Sequence, residues 1–166
     1  MAKITFKGKP YTTSGDLPKI GTKAPSFRLV DGALRDVTLD QFKGKRKIIN
    51  IVPSIDTPVC ATSTKRFDEY ASKDENLVVF IVSSDLPFAQ GRFCTTERTP
   101  HVIPLSMMRD RHFARDYGVL VQDGPLAGIT ARAVVVLNGD DQVLYTELVA
   151  DISQEPNYIA AIAAAK

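Results

Sequence analysis

Apolar residues change their spacing along this chain of 166 residues. Near the start they alternate with polar residues over short stretches between Gly and Pro, a pattern typical of strands and turns. It predicts a β-hairpin over residues 3–14, a connecting loop over 15–25 and short strands at 26–31 and 34–38. One helical turn is expected at 39–42.

From residue 47 onward, unbroken apolar runs alternate with stretches whose apolar residues follow helical spacing. The run at 77–83 has the length and composition of a strand that is buried on both faces of a mainly parallel sheet. The last helix is expected to be capped by Ser153, with Pro156 in its first turn. The predicted elements are strands at 47–52, 77–83, 102–106, 131–137 and 142–148, and helices at 58–73, 87–97, 109–117 and beyond Ser153.

This order of elements predicts an α/β fold, in which helices cover both faces of a central mixed β-sheet. No internal repeat or low-complexity linker divides the chain, so we expect a single domain over residues 1–166, with the hairpin and loop of 1–25 at its start. Sites in such sheets collect beyond the carboxyl ends of the strands. Cys60 follows the predicted strand at 47–52 at that end.

Composition narrows the classes of function. Apolar residues make up 44% and charged residues 24% of the chain, which are ordinary globular values, and the formal net charge of +2 gives no reason to expect nucleic acid as a partner. No stretch is long enough to cross a membrane, and the N-terminus lacks the apolar centre of a signal peptide. We therefore expect a cytoplasmic protein without a membrane partner.

The two cysteines, Cys60 and Cys94, are too few for a disulfide scaffold or for a four-cysteine zinc site. His101 and His112 would complete a set of four ligands, but the spacings contain no paired ligand motif, so no metal site is predicted. In a cytoplasmic protein a cysteine pair of this kind indicates reactive rather than structural thiols.

Cys60 has the strongest local signal for chemistry. Thr57 suits the cap of a helix and Pro58 suits its first position, which places Cys60 in the first turn. Backbone N–H groups there have no carbonyl partners and carry partial positive charge, so they favour a thiolate, the reactive form of cysteine. The alternative is a small buried cysteine that only packs.

Residues 53–60, Pro-Ser-Ile-Asp-Thr-Pro-Val-Cys, fit the peroxiredoxin pattern Pro-x-x-x-Thr-x-x-Cys. The segments SDLPFAQGRFC and GPLAGITARAVVVL extend the likeness over nearly the whole chain. The sequence thus resembles the thiol peroxidase branch of the bacterial peroxiredoxins. That resemblance implies a thioredoxin-like fold and a thiol-dependent peroxidase that reduces hydrogen peroxide and organic hydroperoxides without a cofactor. It also implies a homodimer that thioredoxin re-reduces.

The resemblance assigns roles to five residues. Cys60 matches the peroxidatic cysteine and Cys94 the resolving cysteine, which implies a Cys60–Cys94 disulfide in the oxidised enzyme. Pro53 and Thr57 match the residues that shield and orient the sulfur and the peroxide, and Arg132 matches an arginine that reaches the thiolate.

Each of these residues also has a simpler interpretation from sequence alone. Thr57 could merely cap the helix, which the pattern slightly favours, and Pro53 could simply end a strand. Arg132 could be a surface residue beside a hairpin, and Cys94 a core-facing residue of its helix. Two other functions stay open: a thiol–disulfide oxidoreductase, although Cys60 lacks a C-x-x-C partner, and a binding module of the same fold.

A disulfide between Cys60 and Cys94 would require motion. Packed helices hold their axes about 8–10 Å apart, whereas bonded cysteines have Cα atoms about 4.4–6.8 Å apart. We therefore expect oxidation to unwind helical structure around one or both cysteines, with Gln90-Gly91 as a weak point.

Overall fold

Two antiparallel strands at the N-terminus and a separate seven-stranded sheet form the framework in a computed structural model that describes all residues, 1–166. The hairpin consists of β1 (Lys3–Phe6) and β2 (Lys9–Thr12). The other strands are β3 (Leu29–Val30), β4 (Asp36–Val37), β5 (Arg46–Ile51), β6 (Leu77–Ser83), β7 (Val102–Ser106), β8 (Ala133–Leu137) and β9 (Val143–Leu148). The helices are α1 (Pro58–Ala71), α2 (Pro87–Glu97), α3 (Phe113–Asp116) and α4 (Tyr158–Ala164), with a 3-10 turn at Leu39–Phe42.

The large sheet is mixed, in the order β4-β3-β7-β6-β5-β8-β9. Its centre, β5, β6 and β7, is parallel, whereas β8 and β9 continue it in antiparallel pairing beyond β5. All seven residues of β6 are buried, as the apolar run predicted. Together with the hairpin, this architecture confirms the predicted fold class.

Alternation along the strands divides the core between the two faces of the sheet. Ile49, Ile51 and Phe80 lie on one face with Phe113 of α3. The opposite face is covered by α1 and α4, which pack on residues such as Ile48, Val79 and Val134. Cys60 belongs to this second cluster, so its side chain faces the sheet rather than solvent.

Several predicted bounds were wrong. The strands β3 and β4 have two residues each, and α3 begins only at Phe113 because Asp110 Oδ1 accepts the N–H groups of His112 and Phe113 and holds them in a turn.

Ser153 does not cap the last helix, since both its N–H and its hydroxyl donate to Asp151. Asn157 caps α4 instead, through an Oδ1 that accepts the N–H of Ala160 at 3.0 Å, and Pro156 therefore lies before the helix.

None of the helices combines the length and the apolar composition that a membrane span requires.

Candidate active site

Cys60 is completely buried in the first turn of α1, just beyond the carboxyl end of β5. Thr57 precedes the helix with an extended backbone (φ −101°, ψ 145°) and Pro58 is the first helical residue, as predicted. The Cys60 N–H donates to Thr57 O at 3.1 Å, so this backbone donor is already used within the turn. The groups that act on the sulfur are therefore mainly side chains.

The Thr57 hydroxyl points at that sulfur. Its Oγ1 lies 2.7 Å from Cys60 Sγ and 3.3 Å from the carbonyl oxygen of Ser54. No helix N–H donates to Thr57 Oγ1, so the simple capping interpretation was wrong although the residue does occupy the cap position. The hydroxyl is thus positioned to orient the thiol or a molecule bound to it.

Arg132 reaches the same sulfur. It immediately precedes β8, which pairs with β5, and only 1% of its surface is exposed. Nη1 donates to Cys60 Sγ at 3.1 Å, and Nε donates to the Ile152 carbonyl at 2.8 Å. Nη2 lies 3.5 Å from Thr57 Oγ1. The interpretation of Arg132 as a surface residue was therefore wrong.

The buried guanidinium has no carboxylate partner, because none of the ion pairs in the structure involves Arg132. A buried charge without compensation is strongly unfavourable. The sulfur of Cys60 is the acceptor in contact with Nη1, and as a thiolate it would supply the missing negative charge.

Sequence reasoning missed Asp85, which shapes the loop in front of α1. This residue follows β6, and its carboxylate accepts the Ile55 N–H at 2.9 Å and the Ser54 hydroxyl at 3.0 Å. Its position directly after a buried strand was an available signal, because that is where side chains reach a site at the sheet edge. Pro53 is buried at the base of the same loop, two residues beyond the end of β5.

Cys94 lies in α2 and is partly buried, and both cysteines are free thiols. It contacts the same apolar cluster that contains Cys60, so it is core-facing. Its other side borders an open cavity of about 320 Å³ between Thr95, Arg98, Thr99 and Pro100. Burial raises the pKa of the Cys94 thiol and the charge of Asp68 adds to this effect, while the Thr99 hydroxyl acts in the opposite direction.

His101 takes part in a local interaction rather than in a metal cluster. Its Nδ1 lies 3.2 Å from Asp68 Oδ2, and its backbone N–H donates to Asp68 Oδ1 at 2.7 Å. The structure contains no group of three or more His, Cys, Asp or Glu side chains that could hold a metal ion.

Comparison with known proteins connects this geometry to a family. Residues 19–162 match the Redoxin family. The chain belongs to the Redoxin family. It is 54% identical over 164 residues to the thiol peroxidases of Mycobacterium tuberculosis and Mycobacterium bovis, a match that covers 99% of this chain and 98% of each relative.

Solved structures of peroxiredoxins and thiol peroxidases are similar to this chain as well. A peroxiredoxin-like protein from Aquifex aeolicus superposes with a TM-score of 0.91 at 39% identity, covering 98% of this chain and 95% of that protein. A thiol peroxidase from Chromobacterium violaceum gives 0.88 at 26% identity, covering 95% and 91%. The expected membership among the thiol peroxidases, the thioredoxin-like fold and the function of a peroxiredoxin-type peroxidase are confirmed.

Proposed function

We propose that this peroxidase works through Cys60 as the peroxidatic thiolate and Cys94 as the resolving thiol. The observation that carries the proposal is the convergence of Arg132 Nη1, at 3.1 Å, and Thr57 Oγ1, at 2.7 Å, on Cys60 Sγ. A thiolate there attacks one peroxide oxygen, the O–O bond breaks, and the other oxygen leaves as an alkoxide or hydroxide that takes up a proton. Cys60 becomes a sulfenic acid.

The donors around the sulfur suit the charge that moves during this step. Negative charge passes from sulfur to the leaving oxygen, and a charge-assisted donor such as Arg132 can follow it because its guanidinium presents several N–H groups. Arg132 is held in place by its Nε bond to the Ile152 carbonyl, so little reorganisation is needed. Thr57 Oγ1 lies near both the guanidinium and the sulfur and can orient the peroxide. Pro53, buried at the base of the loop, is proposed to shield the sulfur from water.

In the second step the Cys94 sulfur attacks the Cys60 sulfenic acid, a disulfide forms, and the hydroxyl leaves as water. A dithiol protein of the thioredoxin class then restores both thiols and leaves as its own disulfide. This cycle requires a reducing compartment, which supports the cytoplasm as its location. A homodimer completes the proposal, and Leu86 and Phe88, 53% and 70% exposed at the start of α2, are apolar surface that a second copy could cover.

The alternatives fit the site less well. A disulfide oxidoreductase would need a second sulfur within the first turns of α1, but Ser63 stands there and its hydroxyl donates to the Cys60 carbonyl. In a binding module whose cysteines only pack, the buried charge of Arg132 would lack compensation.

Two serine variants test the proposal. Cys60→Ser should lose peroxide reduction entirely, because an alcohol at this site stays protonated. Cys94→Ser should consume one equivalent of peroxide, stop at the sulfenic acid and then over-oxidise.

Turnover would be followed with thioredoxin, its reductase and NADPH, and the oxidation state of Cys60 by mass spectrometry. Substantial activity in Cys60→Ser would overturn the assignment of the peroxidatic residue. Full thioredoxin-linked turnover in Cys94→Ser would overturn only the resolving role.

A further inference from the structure

The end of α2 brings a threonine against Cys94. The helix stops at Glu97, Arg98 adopts a left-handed conformation (φ 56°, ψ 56°), and the chain turns back. The Thr99 N–H donates to Cys94 O at 3.1 Å, and the Arg98 N–H donates to Thr95 O at 3.4 Å. This is the bonding pattern of the Schellman motif, in which the side chains at the positions of Cys94 and Thr99 regularly contact each other.

Thr99 is unusual among the hydroxyl groups near the site. Only 2% of its surface is exposed, and its Oγ1 has no hydrogen-bond partner in the resting structure. It lines the same open cavity of about 320 Å³ that borders Cys94. A buried hydroxyl without a partner is destabilising, so its presence here suggests a role in a state other than the resting one.

We propose that Thr99 is a catalytic residue of the resolving step, whose hydroxyl donates a hydrogen bond to the Cys94 sulfur as this ionises. The inference rests on the proposed resolving role of Cys94. In the resting structure the Thr99 hydroxyl is not yet a bonded donor, and rotation about its side chain brings the O–H to the sulfur when charge develops there. Thr99 would then do for Cys94 what Thr57 does for Cys60.

The surroundings of Cys94 explain why it needs such a donor. Burial and the charge of Asp68 in α1 both disfavour its thiolate and raise the pKa of Cys94, and a hydrogen bond from the Thr99 hydroxyl would act in the opposite direction. Of the other charged groups, Arg98 lines the cavity, His101 is bonded to Asp68, and Lys65 and Glu97 form an ion pair between α1 and α2. Thr99, unlike these charged groups, is hydrogen-bonded to the Cys94 backbone, so it stays beside Cys94 while α2 remains folded.

The resolving step joins Cys94 to the Cys60 sulfenic acid and releases water. The Cys94 thiol gives up its proton, its sulfur forms the S–S bond with Cys60, and the S–O bond of the sulfenic acid breaks. The leaving hydroxide takes a proton and becomes water. Thr99 acts before bond formation, by increasing the fraction of Cys94 that is ionised near neutral pH.

The test uses Thr99→Val, which removes the hydroxyl and keeps the shape. Thr99→Ser should restore the hydroxyl, and Thr96→Val is the matched control, since Thr96 is an exposed residue of α2. One equivalent of hydrogen peroxide is added to each reduced protein, and disulfide formation is followed by acid quenching and mass spectrometry over a range of pH.

Near neutral pH we expect Thr99→Val to form the disulfide about threefold to tenfold more slowly than wild type. The lower rate reflects the loss of a hydrogen bond to a charged sulfur. Part of the loss in rate is offset, because a more basic thiolate is a better nucleophile. The difference should vanish or reverse at high pH, where Cys94 is ionised in both proteins. Oxidation of Cys60 by peroxide should be unchanged, and over-oxidation should increase.

A second measurement does not depend on peroxide chemistry. In a Cys60→Ser background, the pH at which Cys94 becomes reactive towards iodoacetamide should move upward with Thr99→Val and stay in place with Thr96→Val. Superimposed pH profiles, or a rate that falls by the same factor at every pH, would overturn the role of Thr99. If wild-type protein forms no Cys60–Cys94 disulfide, the proposed resolving step itself fails, a result that the alkylation profile distinguishes from failure of the Thr99 inference.

Discussion

At the scale of single residues, the site depends on one buried cation. Arg132 divides its donors between a backbone carbonyl, the reacting sulfur and the Thr57 hydroxyl. The bond to Ile152 helps to orient the guanidinium, and the other two nitrogens face Cys60 Sγ and Thr57 Oγ1. In the proposed mechanism the leaving oxygen needs a donor that is already oriented, and Arg132 would supply it.

Arg132→Ala is expected to slow the reaction of Cys60 with peroxide by roughly a hundredfold to a thousandfold, the usual effect of losing one preorganised donor to developing oxyanion charge. Arg132→Lys should recover only part of this, because an ammonium lacks the planar set of donors. Stopped-flow competition for hydrogen peroxide would give the second-order rates. Arg66→Ala, which removes an exposed arginine from α1, is the control. A rate for Arg132→Ala within about a factor of two of wild type would remove Arg132 from the site.

At the scale of elements, the two cysteines are held in different helices with different supports. The helix α1 packs on β6, β7 and α4, while α2 packs mainly on β7. Both thiols are free in this structure, and it stays a prediction that a disulfide between them requires at least one helix to unwind. We expect Gly91 within α2 to be a weak point, because glycine disfavours a helix and no neighbouring atom lies within 4 Å of the place where a Cβ would be.

Gly91→Ala should therefore slow disulfide formation. An added Cβ meets nothing within 4 Å, so the variant gains helix propensity of about 1 kcal/mol without strain, which corresponds to about fivefold in the rate if α2 must unwind. Gly32→Ala, in an exposed turn with equal space for a Cβ, is the control.

Amide hydrogen exchange on reduced and oxidised protein would locate the unwinding. Equal protection of residues 58–66 and 87–97 in both states, together with an unchanged rate in Gly91→Ala, would show that the bond forms without it.

At the scale of the whole molecule, the N-terminal hairpin supports the active site from a distance. Thr5 in β1 exchanges backbone hydrogen bonds with Ala150 and Ile152, and Ile152 is the residue whose carbonyl holds Arg132. Asp151, between them, accepts the hydroxyl of Thr5 at 2.7 Å. The first strand and the segment before α4 therefore form one unit behind the guanidinium, although they are far apart in sequence.

This unit should contribute to stability in a pH-dependent way. Hydrogen bonds from Ser153 and then from Thr5 hold the pKa of Asp151 below its ordinary range. Because the folded pKa is depressed, the contribution is fully present above the unfolded pKa of about 3.9 and is lost as pH falls below it. Chemical denaturation of wild type and Asp151→Asn should give a difference in unfolding free energy that shrinks from about pH 5 to about pH 2. A difference that is constant over this range would contradict the assignment.

The sequence by itself determined most of the local elements and the place of Cys60 in the first turn of α1. The bounds of α2 and β6 follow from proline at a helix start and from an unbroken apolar run, signals that act over a few residues. Thr57 and Pro58 likewise fixed the start of α1 and thus the place of Cys60. The sequence also contained the family resemblance that pointed to Arg132 and Cys94.

Only the tertiary structure decided which groups the side chains meet. Arg132 reaches Cys60 because β8 pairs antiparallel with β5, with Ala133 opposite Ile51, which brings residues 72 positions apart into contact. Packing also decided between alternative hydrogen-bond partners. The Thr57 hydroxyl bonds to the Cys60 sulfur rather than to a helix N–H, and the Ser153 hydroxyl bonds to Asp151, so Asn157 is the cap of α4. Periodicity and turn chemistry encode elements locally, whereas a hydrogen bond goes to whichever acceptor the packed fold brings within reach.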